Sequence, residues 1–169
     1  MQRRRELALS ERLERVRPGR RAAPRSFPLM VAVHIGLFLL PPLEVRMAKR
    51  RPHWLGLWLA LLAFATGLRW WSIHALGERW NVRAAVPLDL QPATDGPYRW
   101  IRHPNYLAVI LEFAALPMAG GAWISAIGLS ALDGAVLVDR IRAEEALLAE
   151  VPGYRQLFSG KARFIPGIF

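Results

Sequence analysis

The apolar residues of this chain come in long blocks rather than in alternation with polar ones. From Phe27 to Leu43 the only ionisable side chain is His34, and from Trp54 to Ile73 it is Arg69. Runs of this length cannot be strands, and at 1.5 Å per residue each comes close to a bilayer core of about 30 Å. Two further apolar runs, 105–119 and 122–139, meet at Gly120-Gly121 and carry Glu112 and Asp133. The expected fold is therefore all-α: a polytopic membrane protein with about four transmembrane helices, at 27–43, 54–73, 105–119 and 122–139. A basic segment, 1–26, precedes a single membrane domain, 27–169. The 169 residues suffice for one domain.

Net charge is +10, which would suit a nucleic-acid partner if the cations shared one face. They lie instead at the edges of the apolar blocks, where anionic lipid headgroups explain them better. The expected partner is thus the membrane lipid bilayer, with no nucleic acid. Arg69, near the end of its run, can snorkel toward headgroups. Four crossings put both termini and the central loop on one side, with about eighteen of the 23 Lys and Arg residues; the other side keeps four, from Arg46 to Arg51. That bias points to cytoplasmic termini and, for a bacterial chain, to the inner membrane. Residues 1–25 hold nine arginines and three glutamates without the apolar core of a signal peptide; Glu6 to Val16 can form a short surface helix.

Without cysteine, and with His34, His53, His74 and His103 scattered, the sequence offers no metal centre. His34, midway along an apolar run, reads as a packing residue. Glu112 and Asp133 are each as readily structural hydrogen-bond partners as reacting groups. Nothing in the sequence sets an oligomeric state.

The densest chemistry lies between the second and third runs, in Asp95-Gly96-Pro97-Tyr98-Arg99-Trp100-Ile101-Arg102-His103-Pro104-Asn105-Tyr106. Gly96-Pro97 signals a turn. His103-Pro104 signals a helix start, because the residue before Pro avoids the α region and Pro suits a first helical turn. Interface anchoring is the plain reading of such aromatics and arginines. A second polar cluster, Arg140-Ile141-Arg142-Ala143-Glu144-Glu145, follows the fourth run and should open a polar helix. Arg140 and Glu144, four apart, share a face of it. A Gly-Gly turn between helices of similar length brings their far ends together, so His103 and Arg140 should be neighbours in space.

Gly-Pro-Tyr-Arg with Arg-His-Pro-Asn-Tyr, then Arg-Ile-x-x-Glu-Glu, then Tyr154 and Ile165-Pro166, resembles the signature of the isoprenylcysteine carboxyl methyltransferase family, and within it the bacterial branch. Members of that family often carry a further membrane helix before the first run found here, so the resemblance implies either a shortened form or a start codon placed late. It also implies an integral membrane methyltransferase that uses S-adenosyl-L-methionine. By that resemblance the catalytic residues are Arg140, Glu144 and Glu145, Arg140 orienting the acceptor and Glu145 either binding cofactor or supporting Arg142 or Arg140. The cofactor-binding residues are Gly96, Pro97, Tyr98, His103, Tyr106 and Glu144. The expected acceptor is a lipophilic small molecule with a carboxyl or hydroxyl group, such as a polyketide-derived phenolic lipid or alkylpyrone. Three alternatives stay open: an NADPH-dependent membrane reductase of the sterol reductase type, a phospholipid N-methyltransferase, and a non-catalytic membrane scaffold.

Overall fold

The computed structural model describes residues 26–49, 51–82, 85–86 and 91–167, together with residues 8, 10–12, 15 and 20–21. Four long helices dominate: α1 (Ser26–Ala48), α2 (Leu55–Leu76), α3 (Pro104–Ala119) and α4 (Trp123–Leu148), followed by a short α5 (Tyr154–Phe158). Single 3-10 turns form at Gly77–Arg79 and Gly96–Arg99. Departures from an all-helical fold among the described residues are a two-residue antiparallel pair, β1 (Arg20–Arg21) with β2 (Ala85–Val86), and an isolated parallel bridge, Ile101 with Ala162. Most of the expected helix from Glu6 to Val16 lies outside the described residues, though residues 8, 10–12 and 15 are helical. Of the expected extended patch Val86-Pro87-Leu88, Val86 falls in β2 and the other two lie outside the described residues.

Sequence neighbours are not all spatial neighbours. α3 packs on α2 and α4, and α1 lies along α4, so the order across the bundle is α2-α3-α4-α1. The first two helices thus flank the α3–α4 hairpin instead of pairing with each other. Glycine permits one of these contacts: a Cβ at Gly36 of α1 would meet Leu129 of α4 at 3.2 Å. The core between the helices is built on Val33, Leu37, Val109, Phe113, Leu129 and Leu137. The hairpin turn works as expected, with Ala122 N–H bonding Pro117 O at 2.9 Å. Gly121, at φ 81°, sits against the Arg51 carbonyl, where a side chain would clash.

Two helices, α1 and α2, are long and apolar enough to cross a membrane. Their outward faces leave Ile35, Phe38, Leu39, Met47, Leu57 and Phe64 about half exposed or more, apolar surface that water would not tolerate at this extent. α3 has 16 residues, or about 24 Å, short of a full bilayer core. α4 is longer than the fourth apolar run, because Arg140–Glu145 continues the same helix instead of opening a new one. α1 also runs beyond Leu43, through Pro41-Pro42 to Ala48. The extension carries Glu44 to the start of α4, where its carboxylate accepts the backbone N–H groups of Ile124 (3.2 Å) and Ser125 (2.7 Å). A carboxylate from a neighbouring helix thereby does the work of an N-cap, meeting two orphan donors and the positive end of the helix dipole.

The loss of this contact has a measurable consequence. Glu44→Ala should destabilise the protein by about 1–2 kcal/mol, lowering the thermal unfolding midpoint in detergent.

Candidate active site

His103 caps α3, and Pro104 occupies its first turn, as the His-Pro pair predicts. Gly96–Arg99 forms the expected tight turn, and Gly96 is required there on two counts. Its φ is 56°, and a Cβ would lie 2.9 Å from both Trp71 Nε1 and Ala75 Cβ on α2. The turn is thereby pressed onto α2, and Trp100 meets Trp71 edge to face at 5.7 Å. Back-folding of α4 along α3 then brings the Arg140–Glu145 turn against the start of α3. Tyr106 Oη donates to Glu144 Oε2 at 2.5 Å, and His103 Nε2 lies 3.0 Å from Glu145 Oε1.

These groups wall an open cleft of about 830 Å³, open mouth included. Of the residues the family resemblance points to, Tyr98, His103, Tyr106 and Glu144 line it. Gly96 and Pro97 shape the turn beneath and are not in the wall. Five aromatic rings face the cleft, from Trp80, Tyr98, Tyr106, Tyr154 and Phe158, the last two stacked at 4.8 Å. Burial, with the Glu144 charge behind it, holds the Tyr98 phenol far above its ordinary pKa, so it stays a neutral donor at any working pH. The Trp80 indole N–H and the Arg102 Nε, of two wall residues, have no hydrogen-bond partner among the described residues.

A second cavity of about 1040 Å³ opens beside the first. Its long side is apolar, formed by Phe27, Met30, Val31, Ile35 and Phe38 of α1. Its inner end is polar: Arg140 is 2% exposed, and while Nη2 donates to the Val82 carbonyl at 2.9 Å, its Nε and Nη1 have no hydrogen-bond partner among the described residues. Arg140 and Glu144, on one face of α4, bond different groups: Glu144 takes the Tyr106 hydroxyl and Arg140 the Val82 carbonyl. Trp80, Asn81, Asn105 and Tyr106 belong to both walls, so the two cavities meet there.

Arg69 corrects the sequence reading. It does not snorkel outward: it is 4% exposed, donates to Asn105 Oδ1 at 3.3 Å, stands over the Trp80 ring at 5.9 Å and lines the second cavity. Its position on the α2 face packed against α3 decides this, and that face is set only by tertiary packing. Glu145 also differs from expectation. It supports neither Arg140 nor Arg142 but binds Arg102 (3.2 Å), His103 and Arg163 (2.6 and 3.0 Å), from behind the cleft wall. His34 is the packing residue expected, bonded to Met30 O and set edge to face on Phe113 at 5.0 Å. Glu112 and Asp133 are buried in the bundle and line neither cavity. Sequence reasoning missed Arg163, Asn105 and Val82. Asn105 stood inside the central motif, whereas Val82 acts through a backbone carbonyl that no side-chain pattern marks.

A helical bundle with two long, outwardly apolar helices and an aromatic, carboxylate-bearing cleft at one end of its hairpin is the architecture of a membrane protein. Residues 58–150, more than half the chain, match the isoprenylcysteine carboxyl methyltransferase (ICMT) family, and the chain belongs to that family of membrane methyltransferases. The resemblance read from the two motifs is thus borne out. The chain is similar to an uncharacterized Bacillus subtilis protein, YpbQ, at 33% identity over 126 residues, covering 73% of this chain and 74% of that one. It is also similar to an uncharacterized Haemophilus influenzae protein, at 29% identity over 94 residues and 55% of each chain. No solved structure matches it.

The Glu145 cluster fixes a pH dependence. Burial raises the Glu145 pKa, but hydrogen bonds from His103 and Arg163 and the His103 and Arg102 charges outweigh it, leaving the carboxyl at about 2. A depressed carboxylate stabilises the fold fully above its ordinary value near 4.5, and that contribution drains away as pH falls toward about 2. Acid titration of unfolding should therefore show a limb between these values. Glu145→Gln should flatten it, and an unchanged limb would remove Glu145 as its source.

Proposed function

We propose that the protein is an integral membrane, S-adenosyl-L-methionine-dependent O-methyltransferase acting on a lipophilic acceptor with a carboxyl or hydroxyl group. The observation that carries this reading is the junction of the two cavities at Trp80, Asn81, Asn105 and Tyr106. A polar aromatic cleft on one side meets an apolar slot on the other, and a buried, incompletely bonded guanidinium stands at the slot's inner end.

The residues present fit the cofactor. Flat rings suit a purine, the Glu144 carboxylate and the ring faces favour a sulfonium, and the unpartnered Trp80 and Arg102 donors suit its oxygen acceptors. When bound, the cofactor supplies an electrophilic methyl group. The protein then has little proton chemistry to do. Tyr106 and Glu144 fix the seam between the cavities, the α1 side chains keep water from the slot, and Arg140 holds an acceptor oxygen in its anionic form. Similarity to the bacterial branch of the family favours a polyketide-derived phenolic lipid or alkylpyrone, entering from the bilayer past α1. The four-span topology belongs to the same reading, α3 and α4 completing the crossings with both termini and the cleft on the cytoplasmic side of a bacterial inner membrane. The outward apolar faces of α1 and α2 support it.

Radiolabelled S-adenosylmethionine should bind the detergent-solubilised protein, and NADPH should not. Glu144→Ala and His103→Ala should each weaken binding by at least about tenfold, in protein that still unfolds cooperatively in detergent. Lipid extracts from cells with and without the gene should differ by one CH₂ in the mass of the acceptor. Wild-type affinity in both variants would remove the site assignment, and tight NADPH binding would return the protein to the reductase alternative.

A further inference from the structure

Three consecutive residues near the carboxyl end each hold a different residue of the cleft wall. Lys161 Nζ donates to the Tyr98 carbonyl at 2.8 Å. The Ala162 carbonyl accepts the Arg102 N–H at 2.9 Å, in a parallel bridge between Ile101 and Ala162. Arg163 makes two contacts with a bearing on His103. Its carbonyl accepts the His103 backbone N–H at 3.0 Å, and its guanidinium grips both oxygens of Glu145, the carboxylate that meets the imidazole Nε2. Phe164 then packs against the main core, anchoring the stretch.

We propose that residues 161–164 form a strap that sets the geometry of the cleft, with Arg163 as its positioning residue, acting on His103 and Arg102 through Glu145. The physical need is plain. The cleft wall from Tyr98 to His103 is a 3-10 turn and loop with few backbone partners of its own, and His103 has non-helical dihedrals (φ −128°, ψ 56°). A loop in that state stays put only when other segments satisfy its donors and acceptors. A bidentate guanidinium fixes the carboxylate in angle as well as distance, which a point charge does not. Burial is not what the Arg163 side chain supplies, since it is 42% exposed, so its loss leaves no cavity in the core.

The inference rests on the cofactor reading for one of its two measurements and is independent of it for the other. The first measurement is the ¹⁵N resonance of the His103 imidazole in ¹⁵N-histidine-labelled full-length protein in detergent, assigned by its disappearance in His103→Gln. Arg163→Met should shift and broaden it, Arg163→Lys should restore part of the parent line, and Arg155→Met, an exposed control, should leave it alone. The second is the affinity for S-adenosylmethionine. Arg163→Met should weaken it about tenfold. Added to Glu145→Gln it should cause no further loss, because both changes break one connection. Lys161→Met provides a second route, loosening Tyr98 without touching Glu145, and should weaken affinity in either background. An unmoved His103 resonance in Arg163→Met, or losses that multiply in the Glu145–Arg163 double variant, would overturn the proposal. A parent protein that fails to bind S-adenosylmethionine would sink the cofactor reading alone, and the imidazole resonance would still decide the strap.

Discussion

A single carboxylate, that of Glu145, ties together three stretches of chain that sequence keeps apart: the Arg102-His103 loop, the end of α4 and the strap at Arg163. Its partners are cationic or hydrogen-bonding on every side, so the burial that would otherwise neutralise it is more than offset. The site depends on this arrangement. His103 and Arg102 stand in the cleft wall because Glu145 holds their far ends, and Glu145 is in place because α4 continues as one helix past the membrane-like segment. Were the helix to end at residue 139, the Arg-Ile-x-x-Glu-Glu turn would have no rigid support.

Two adjoining carboxylates on that turn have divided the work. Glu144 faces the cleft and takes the Tyr106 hydroxyl, whereas Glu145, about a hundred degrees further round the helix, faces the loop and the strap. One addresses the ligand space and the other holds the scaffold. Arg140, one turn earlier on the Glu144 side, reaches the second cavity, where the Val82 carbonyl steadies one of its nitrogens. The amino-terminal segment reinforces the same loop: the Ser10 hydroxyl accepts the Val82 N–H at 3.0 Å, and Arg20–Arg21 pairs with Ala85–Val86. Three described residues of the basic amino-terminal segment, Ser10, Arg20 and Arg21, are thus bonded to the stretch around Val82 and Val86.

The arrangement of helices explains how one short chain can offer a polar cleft and an apolar slot within a residue's width of each other. Placing α1 beside α4 and leaving α2 on the far side of α3 opens a groove between α1 and the hairpin, walled by lipid-like side chains. The groove ends at Arg69, Asn105 and Arg140, all drawn from the inner faces of three different helices. A guanidinium in such a place is costly unless bonded, and the bonds of Arg69 to Asn105 and of Arg140 to Val82 meet that cost in part.

Helix positions, the turn at Gly96, the helix start at Pro104 and the meeting of the two motifs were legible in sequence, since they follow from apolar run length, from backbone restrictions on Gly and Pro, and from a short hairpin turn. Tyr98, His103, Tyr106 and Glu144 were pointed to by the family resemblance, and the hairpin accounts for His103 and Tyr106 meeting the Glu144-Glu145 turn. The inward turn of Arg69, the separate partners of Arg140 and Glu144, the role of Glu145 behind the wall and the reach of Arg163 were not legible. Each depends on which face of a helix meets which neighbour, and on carbonyl groups that every residue carries alike. The sequence by itself determined an all-helical membrane chain with two polar motifs forced into contact. Only the tertiary structure decided which side chains face the ligand space and which hold them there, because that choice is made by helix rotation and by long-range hydrogen bonds, neither of which has a local signature.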